Sequence, residues 1–232
     1  MSKRWVDRDF TTKTNDILLK AESYHCEFYS SETFTGPSLY FHQQALKLNV
    51  ENWARKSEMI YAALASWGMH RMGPKGAKMH SFNDFNKSVA DLRTDIKCLR
   101  SKSPDDLSLD DWNAMEKVFK YIKVMASGTK IVGNSKVMAH YLPNLIPPID
   151  REYTLQFLFG SRGFQNNLER EWLLMHKILS DFFYPIASNV EFQKMSNEWL
   201  ANTDTYPWDT SILKVIDNLV IGAVRAARKY KP

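Results

Sequence analysis

The stretch from Ser127 to Thr154, SGTKIVGNSKVMAHYLPNLIPPIDREYT, punctuates an otherwise helical pattern and limits what the chain can fold into. An apolar helix ends before it. Gly133 lies within Ile131, Val132, Gly133, Asn134 and Ser135, where a residue free to take positive φ lets two helices reverse. A short helix is expected from about Lys136 to Leu142, stopped by Pro143. Pro147 and Pro148 fix their own φ and stiffen the approach to Ile149 and Asp150. Such a turn places the N–H groups of Gly133, Asn134 and Ser135 at a helix start, where the dipole favours an anion, with Lys130 and Lys136 on either side. A nucleic-acid phosphate is the natural ligand for that arrangement.

These residues resemble the helix-hairpin-helix, Gly/Pro-rich, Asp motif of the DNA glycosylase superfamily. Ile131, Val132 and Gly133 match the hairpin's apolar-x-Gly entry, and Pro148, Ile149 and Asp150 match its Pro-apolar-Asp exit. Ser135 stands where a second hairpin glycine is usual, and Lys136 falls one place early relative to the lysine of lyase-active members. The resemblance implies an all-α, two-lobed helical bundle spanning residues 1–232, with the hairpin at about 111–154. It implies a hairpin that grips the DNA backbone through Lys130, Gly133, Asn134 and Ser135. It implies Asp150 as the carboxylate that serves base excision and Lys136 as the position a Schiff-base nucleophile would occupy. Phosphate contact is the simpler role for Lys136, so a monofunctional enzyme is expected. Asp150 also has a purely structural reading, as the cap of a helix beginning at Arg151.

Elsewhere the pattern is helical. Trp53, Ile60, Leu64 and Trp67 recur near the 3.6 period, and Asp111 to Ala126 places Trp112, Met115, Phe119, Ile122 and Met125 on one face. Ser108 and Asp111 form a capping-box pattern. Asp209 is expected to cap the last helix. Helices are also expected over Asn15–Phe28, Ser38–Leu48, Ser81–Arg100, Glu152–Phe159, Asn166–Pro185 and Glu191–Ala201. The loop WGMHRMGPKGAK, Trp67 to Lys78, is not a Walker A sequence. In glycosylases the corresponding region enters the duplex, which implies phosphate or orphan-base contacts for Arg71, Lys75 and Lys78; a solvated basic loop is the equal alternative. Size and this loop are similar in overall character to the bacterial phage-defence branch, which removes glucosylated hydroxymethylcytosine. A pocket for such a base would draw on Tyr40, Gln43, Gln44, Trp67, His70 and Arg71, since rings and amides suit base stacking and sugar hydroxyls. For Trp67 alone, plain core is the simpler reading.

The 232 residues carry a net charge of +5, a mild excess suited to a polyanion partner. A hydrophobic fraction of 44% supports a real core. Cys26 and Cys98 cannot frame a disulfide scaffold or an iron–sulfur cluster, and the six histidines show no ligand spacing and read as dispersed, so no cofactor or metal is expected. No leader-like segment or run of about 18 apolar residues is present, so a bacterial or archaeal cytoplasm, or a nucleus, fits best, the cytoplasm being the expectation taken. The resemblance implies a partner, double-stranded DNA carrying a modified base, and a monomer is expected. The rival class is a helix-hairpin-helix protein that binds DNA without chemistry. A nuclease would need clustered carboxylates for a metal, and only Asp150 and Glu152 lie together.

Overall fold

The computed structural model describes residues 7–32, 35–73, 76–163 and 167–229. Their regular structure is helical, apart from one minimal antiparallel hairpin and an isolated bridge between Met79 and Met125. In order the helices are α1 (Thr11–Leu19), α2 (Ala21–Ser31), α3 (Pro37–Lys47), α4 (Trp53–Ser66), α5 (Phe82–Ala90), α6 (Arg93–Leu99) and α7 (Leu109–Tyr121). They continue with α8 (Ile131–Tyr141), α9 (Gln156–Phe159), α10 (Leu168–Ile178), α11 (Tyr184–Ala187), α12 (Val190–Ala201) and α13 (Ile212–Lys229). The hairpin pairs β1 (Met72–Gly73) with β2 (Gly76–Ala77). Among the described residues no helix is long and apolar enough to cross a membrane.

Contacts cluster into two units. Unit 1 holds Met1–Thr33, Ile149–Phe164 and Leu173–Pro232; unit 2 holds Phe34–Pro148 and Gln165–Trp172. In unit 1, α13 packs along α2, and Gly222 is what lets them approach. A Cβ there would fall inside van der Waals contact of the Tyr24 carbonyl oxygen and 2.9 Å from its carbon. Beside this crossing lies a buried polar network. His25 Nε2 meets Asp209 Oδ2 at 2.7 Å and its ring stacks on Trp199 at 3.8 Å. Asn218 Nδ2 donates to Asp209 Oδ1 at 2.7 Å. Asp209 is therefore a core residue, and the expected cap falls to Ser211, whose hydroxyl accepts the Lys214 N–H at 3.2 Å. A buried carboxylate needs donors for both oxygens, and a first-turn cap supplies too few.

Unit 2 is built on α3, α4, α7 and α8. The Ser108–Asp111 capping box starts α7 as expected. That helix stops at Tyr121, short of the expected Ala126, and an irregular run containing Gly128 at φ 80° leads to α8. The expected helix over Ser81–Arg100 is two helices, with Leu92 turned out of helical geometry between them. At the end of α3, the buried Lys56 ammonium donates to the carbonyls of Ala45 at 2.6 Å and Leu48 at 3.0 Å. It thereby satisfies carbonyls that the helix end leaves open. Replacing Gly222 with Ala is expected to cost unit 1 about 3 kcal/mol or more in denaturant unfolding, because backbone rather than a flexible side chain must move; an unchanged midpoint would contradict the close crossing.

Candidate functional site

The helix that begins α8 is not entered through a turn at Gly133. Ile131 is already helical, and Gly133 lies inside the first turn with a negative φ. Its lack of a side chain serves close packing instead: a Cβ would meet Met125 Cγ at 3.0 Å, Val124 Cγ1 at 3.1 Å and Met69 Cε at 3.3 Å. Asn134 and Ser135 are buried. Asn134 donates its main-chain N–H to Lys130 O and its Nδ2 to Phe119 O at 2.7 Å.

The anion at this helix start belongs to the chain. One oxygen of Glu171, a residue only 1% exposed, accepts the N–H of both Lys130 and Ile131 at 2.6 Å. The dipole and two orphan donors are thus met internally. The Lys130 ammonium turns inward to the Met125 carbonyl, and burial lowers its pKa from the usual lysine value. The expected phosphate grip by Lys130, Gly133, Asn134 and Ser135 is therefore corrected: three are buried, and the fourth is committed to the fold.

Lys136 faces differently. One and a half turns into α8, its ammonium sits 5.3 Å from the centre of the Trp67 ring, a cation–π contact. Trp67 ends α4 and lies 5.6 Å from the His42 ring and 5.4 Å from the His140 ring. His42 Nδ1 meets His140 Nε2 at 3.0 Å, and His140 Nδ1 meets the Lys136 carbonyl at 2.7 Å. A carbonyl only accepts, so His140 carries its hydrogen on Nδ1. When His140 is neutral its Nε2 accepts, and His42 Nδ1 must donate. The pair has room for one added proton but not two. His42 and His140, read from sequence as dispersed, are thus joined. The one available signal was the i, i+4 spacing of Lys136 and His140, which puts both on one helix face.

Beside α4 the basic loop folds as the short hairpin. The Lys78 N–H donates to Arg71 O at 2.9 Å, and the Ala126 N–H donates to Lys78 O at 2.8 Å, pinning the loop to the run before α8. Arg71, Met72 and Lys78 are exposed, Met72 at 74%; Lys75 lies outside the described residues. Of the expected base-pocket residues, Trp67 joins the Lys136 and histidine cluster through its ring contacts. Tyr40 is exposed and packs edge-on against Phe41, Gln43 and Gln44 are half-buried on α3, and His70 is exposed.

Unit 1 holds Asp150. Its Oδ1 accepts the Tyr153 N–H at 2.8 Å, and its own N–H donates to Thr154 Oγ1 at 3.3 Å. The carboxylate is half-buried, and its second oxygen accepts no hydrogen bond among the described residues. Arg225 and Arg228 each lie over the Tyr153 ring, at 5.7 and 5.5 Å, and Arg228 pairs with Glu152 at 2.9 Å. The cap that the alternative reading expected is present, and it fixes the carboxylate's direction.

No known family model, curated protein or solved structure matches this chain. Among the described residues no group of three or more His, Cys, Asp and Glu is placed to hold a metal.

Glu171 makes a direct test of the corrected helix start. Glu171→Gln keeps a carbonyl oxygen for both N–H groups and is expected to stay within about 1 kcal/mol of the parent, whereas Glu171→Ala strands two buried donors and costs about 2–4 kcal/mol. Burial raises the Glu171 carboxyl above its ordinary 4.5, against the opposing pull of the Ile131 and Lys130 N–H groups. The folded value being the higher, this residue's contribution is full below 4.5 and is lost as pH rises through the folded value. Stability measured across that window is expected to flatten in Glu171→Gln; an identical pH profile would contradict it.

Proposed function

We propose that the chain is a DNA N-glycosylase that excises a modified base, with Asp150 as its essential carboxylate. The observation that carries this reading is the presentation of Asp150. Two prolines stiffen the chain before it, one oxygen is locked by the Tyr153 N–H, and the other accepts nothing among the described residues. Cleaving an N-glycosidic bond builds positive charge on the sugar, and a carboxylate held in a set direction stabilises that charge and orients water. A base inside a duplex must first be rotated out. The exposed hairpin in unit 2, with apolar Met72 between Arg71 and Lys78, suits insertion beside phosphates. Backbone contact belongs to these side chains and to Lys136, in place of the buried turn.

Lys136 is assigned to phosphate or base contact, so the enzyme is monofunctional and borohydride traps no protein–DNA adduct. The bulky base of the phage-defence branch, glucosylated hydroxymethylcytosine, is the substrate proposed first, with cytoplasmic action by a monomer. The second reading, a DNA-binding protein without chemistry, is favoured by one observation: Asp150 is a complete helix cap.

Asparagine caps as well as aspartate does, and this separates the two readings. Asp150→Asn is expected to leave thermal unfolding within about 0.5 kcal/mol while lowering excision at least about 100-fold, scored by alkali cleavage of DNAs bearing modified cytosines, uracil, or oxidised and alkylated purines. Full excision by Asp150→Asn would reduce that residue to a cap.

A further inference from the structure

A concave surface lies on unit 2. It is a cavity of about 610 Å³ whose wall includes Asp84 and Lys87 of α5, Asp91 just after it, Lys117 and Tyr121 of α7, and Lys123 beyond. That volume falls in the range of about 300–1,000 Å³ typical of small-ligand sites.

The lining separates into committed and uncommitted groups. Lys117 is held by Asp95 at 2.8 Å, and Asp84 accepts the Ser81 hydroxyl at 2.6 Å. Lys87, Lys123 and Asp91 form no ion pair among the described residues, which leaves two cations against one carboxylate. The wall between them is fixed. The Lys123 N–H donates to Ser88 Oγ at 3.0 Å, and Ser88 Oγ donates to the Phe85 carbonyl at 2.7 Å. The run leaving α7 is therefore tied to α5 at the spot where Lys123 stands. Tyr121, at the last turn of α7, is 65% exposed. An aromatic ring open to solvent, beside lysines that form no ion pair among the described residues, is the combination that holds a base by stacking and its phosphate by charge. The uncommitted Asp91 carboxylate can accept from a sugar hydroxyl or a base amino group.

We propose that this cavity binds one nucleotide unit, its base stacked on Tyr121 and its phosphate between Lys87 and Lys123. The unit is either part of a single strand or a free mononucleotide, and the chemistry is the same for both. The site shares no residue with the Asp150 carboxylate, so excision by the parent enzyme and nucleotide binding here fail or succeed separately.

The test is fluorescence anisotropy of a labelled eight-nucleotide single strand across salt concentrations, with unlabelled dAMP as competitor and with dAMP alone followed by NMR. It compares the full chain with Tyr121→Ala and with Lys87→Gln/Lys123→Gln, all at exposed positions. The lysine pair is expected to weaken binding about tenfold at low salt and, for the strand, to reduce the salt slope by about 0.7, the share of the one phosphate the two lysines hold. Tyr121→Ala is expected to weaken binding about fivefold or more with the slope unchanged. Competition by dAMP at comparable concentration, with resonances of Tyr121 and Lys123 shifting, assigns the site to free nucleotide; strand binding without competition assigns it to a strand. Either result supports the proposal. Absence of binding by both ligands, or variants that bind as the parent does, would overturn it.

Discussion

One buried carboxylate oxygen sets the arrangement of unit 2. Glu171 takes the first two free N–H groups of α8 at 2.6 Å each, and the helix starts where it does because those donors have no other partner. From that start the helix phase follows. Gly133 meets Met69, Val124 and Met125; Asn134 reaches back to Phe119; Lys136 and His140 fall on the face toward Trp67 and His42. An external phosphate would compete with a carboxylate already in place and already desolvated. A helix start that supplies its own anion is closed to a ligand, so the proposed affinity for nucleic acid would have to come from exposed side chains.

Under the proposed function Asp150 answers to two demands. The Tyr153 N–H that it accepts satisfies an orphan donor of the turn beginning at Arg151, and the same bond fixes where the carboxylate points. The cap and the proposed catalytic role are compatible because they would use different oxygens. The arginines over Tyr153 hold the turn from the side of α13, so the basic end of that helix, Arg225 and Arg228, works within unit 1. Glu32 takes Arg225 and Glu27 takes Lys229 in the same way.

Much of the helical content was legible, because its signals are local. The period of Trp53, Ile60 and Leu64, the Ser108–Asp111 box and the proline stop after α8 each depend on neighbours within a turn or two. What sequence could not carry depends on distant partners. Gly133 looked like a turn glycine because glycine serves both turns and close packing, and only the positions of Met69, Val124 and Met125 distinguish the two. Asp209 looked like a cap because its partners, His25 and Asn218, lie 184 and 9 residues away. Glu171 gave no sign of its role, since it reaches 40 residues back to Ile131. The His42–His140 bond spans 98 residues. The short hairpin escaped because two-residue strands have no alternation to read.

The proposed role of Asp150 is electrostatic: its carboxylate would face a sugar that becomes cationic. The most direct measurement compares duplexes carrying two abasic-site analogues, a cationic pyrrolidine azasugar and a neutral tetrahydrofuran, for affinity at fixed salt. Complementarity to the charged transition state predicts that the parent protein binds the cation at least about tenfold more tightly, and that this preference disappears when Asp150 is made neutral. Equal affinity for the two analogues in the parent protein would contradict the claim.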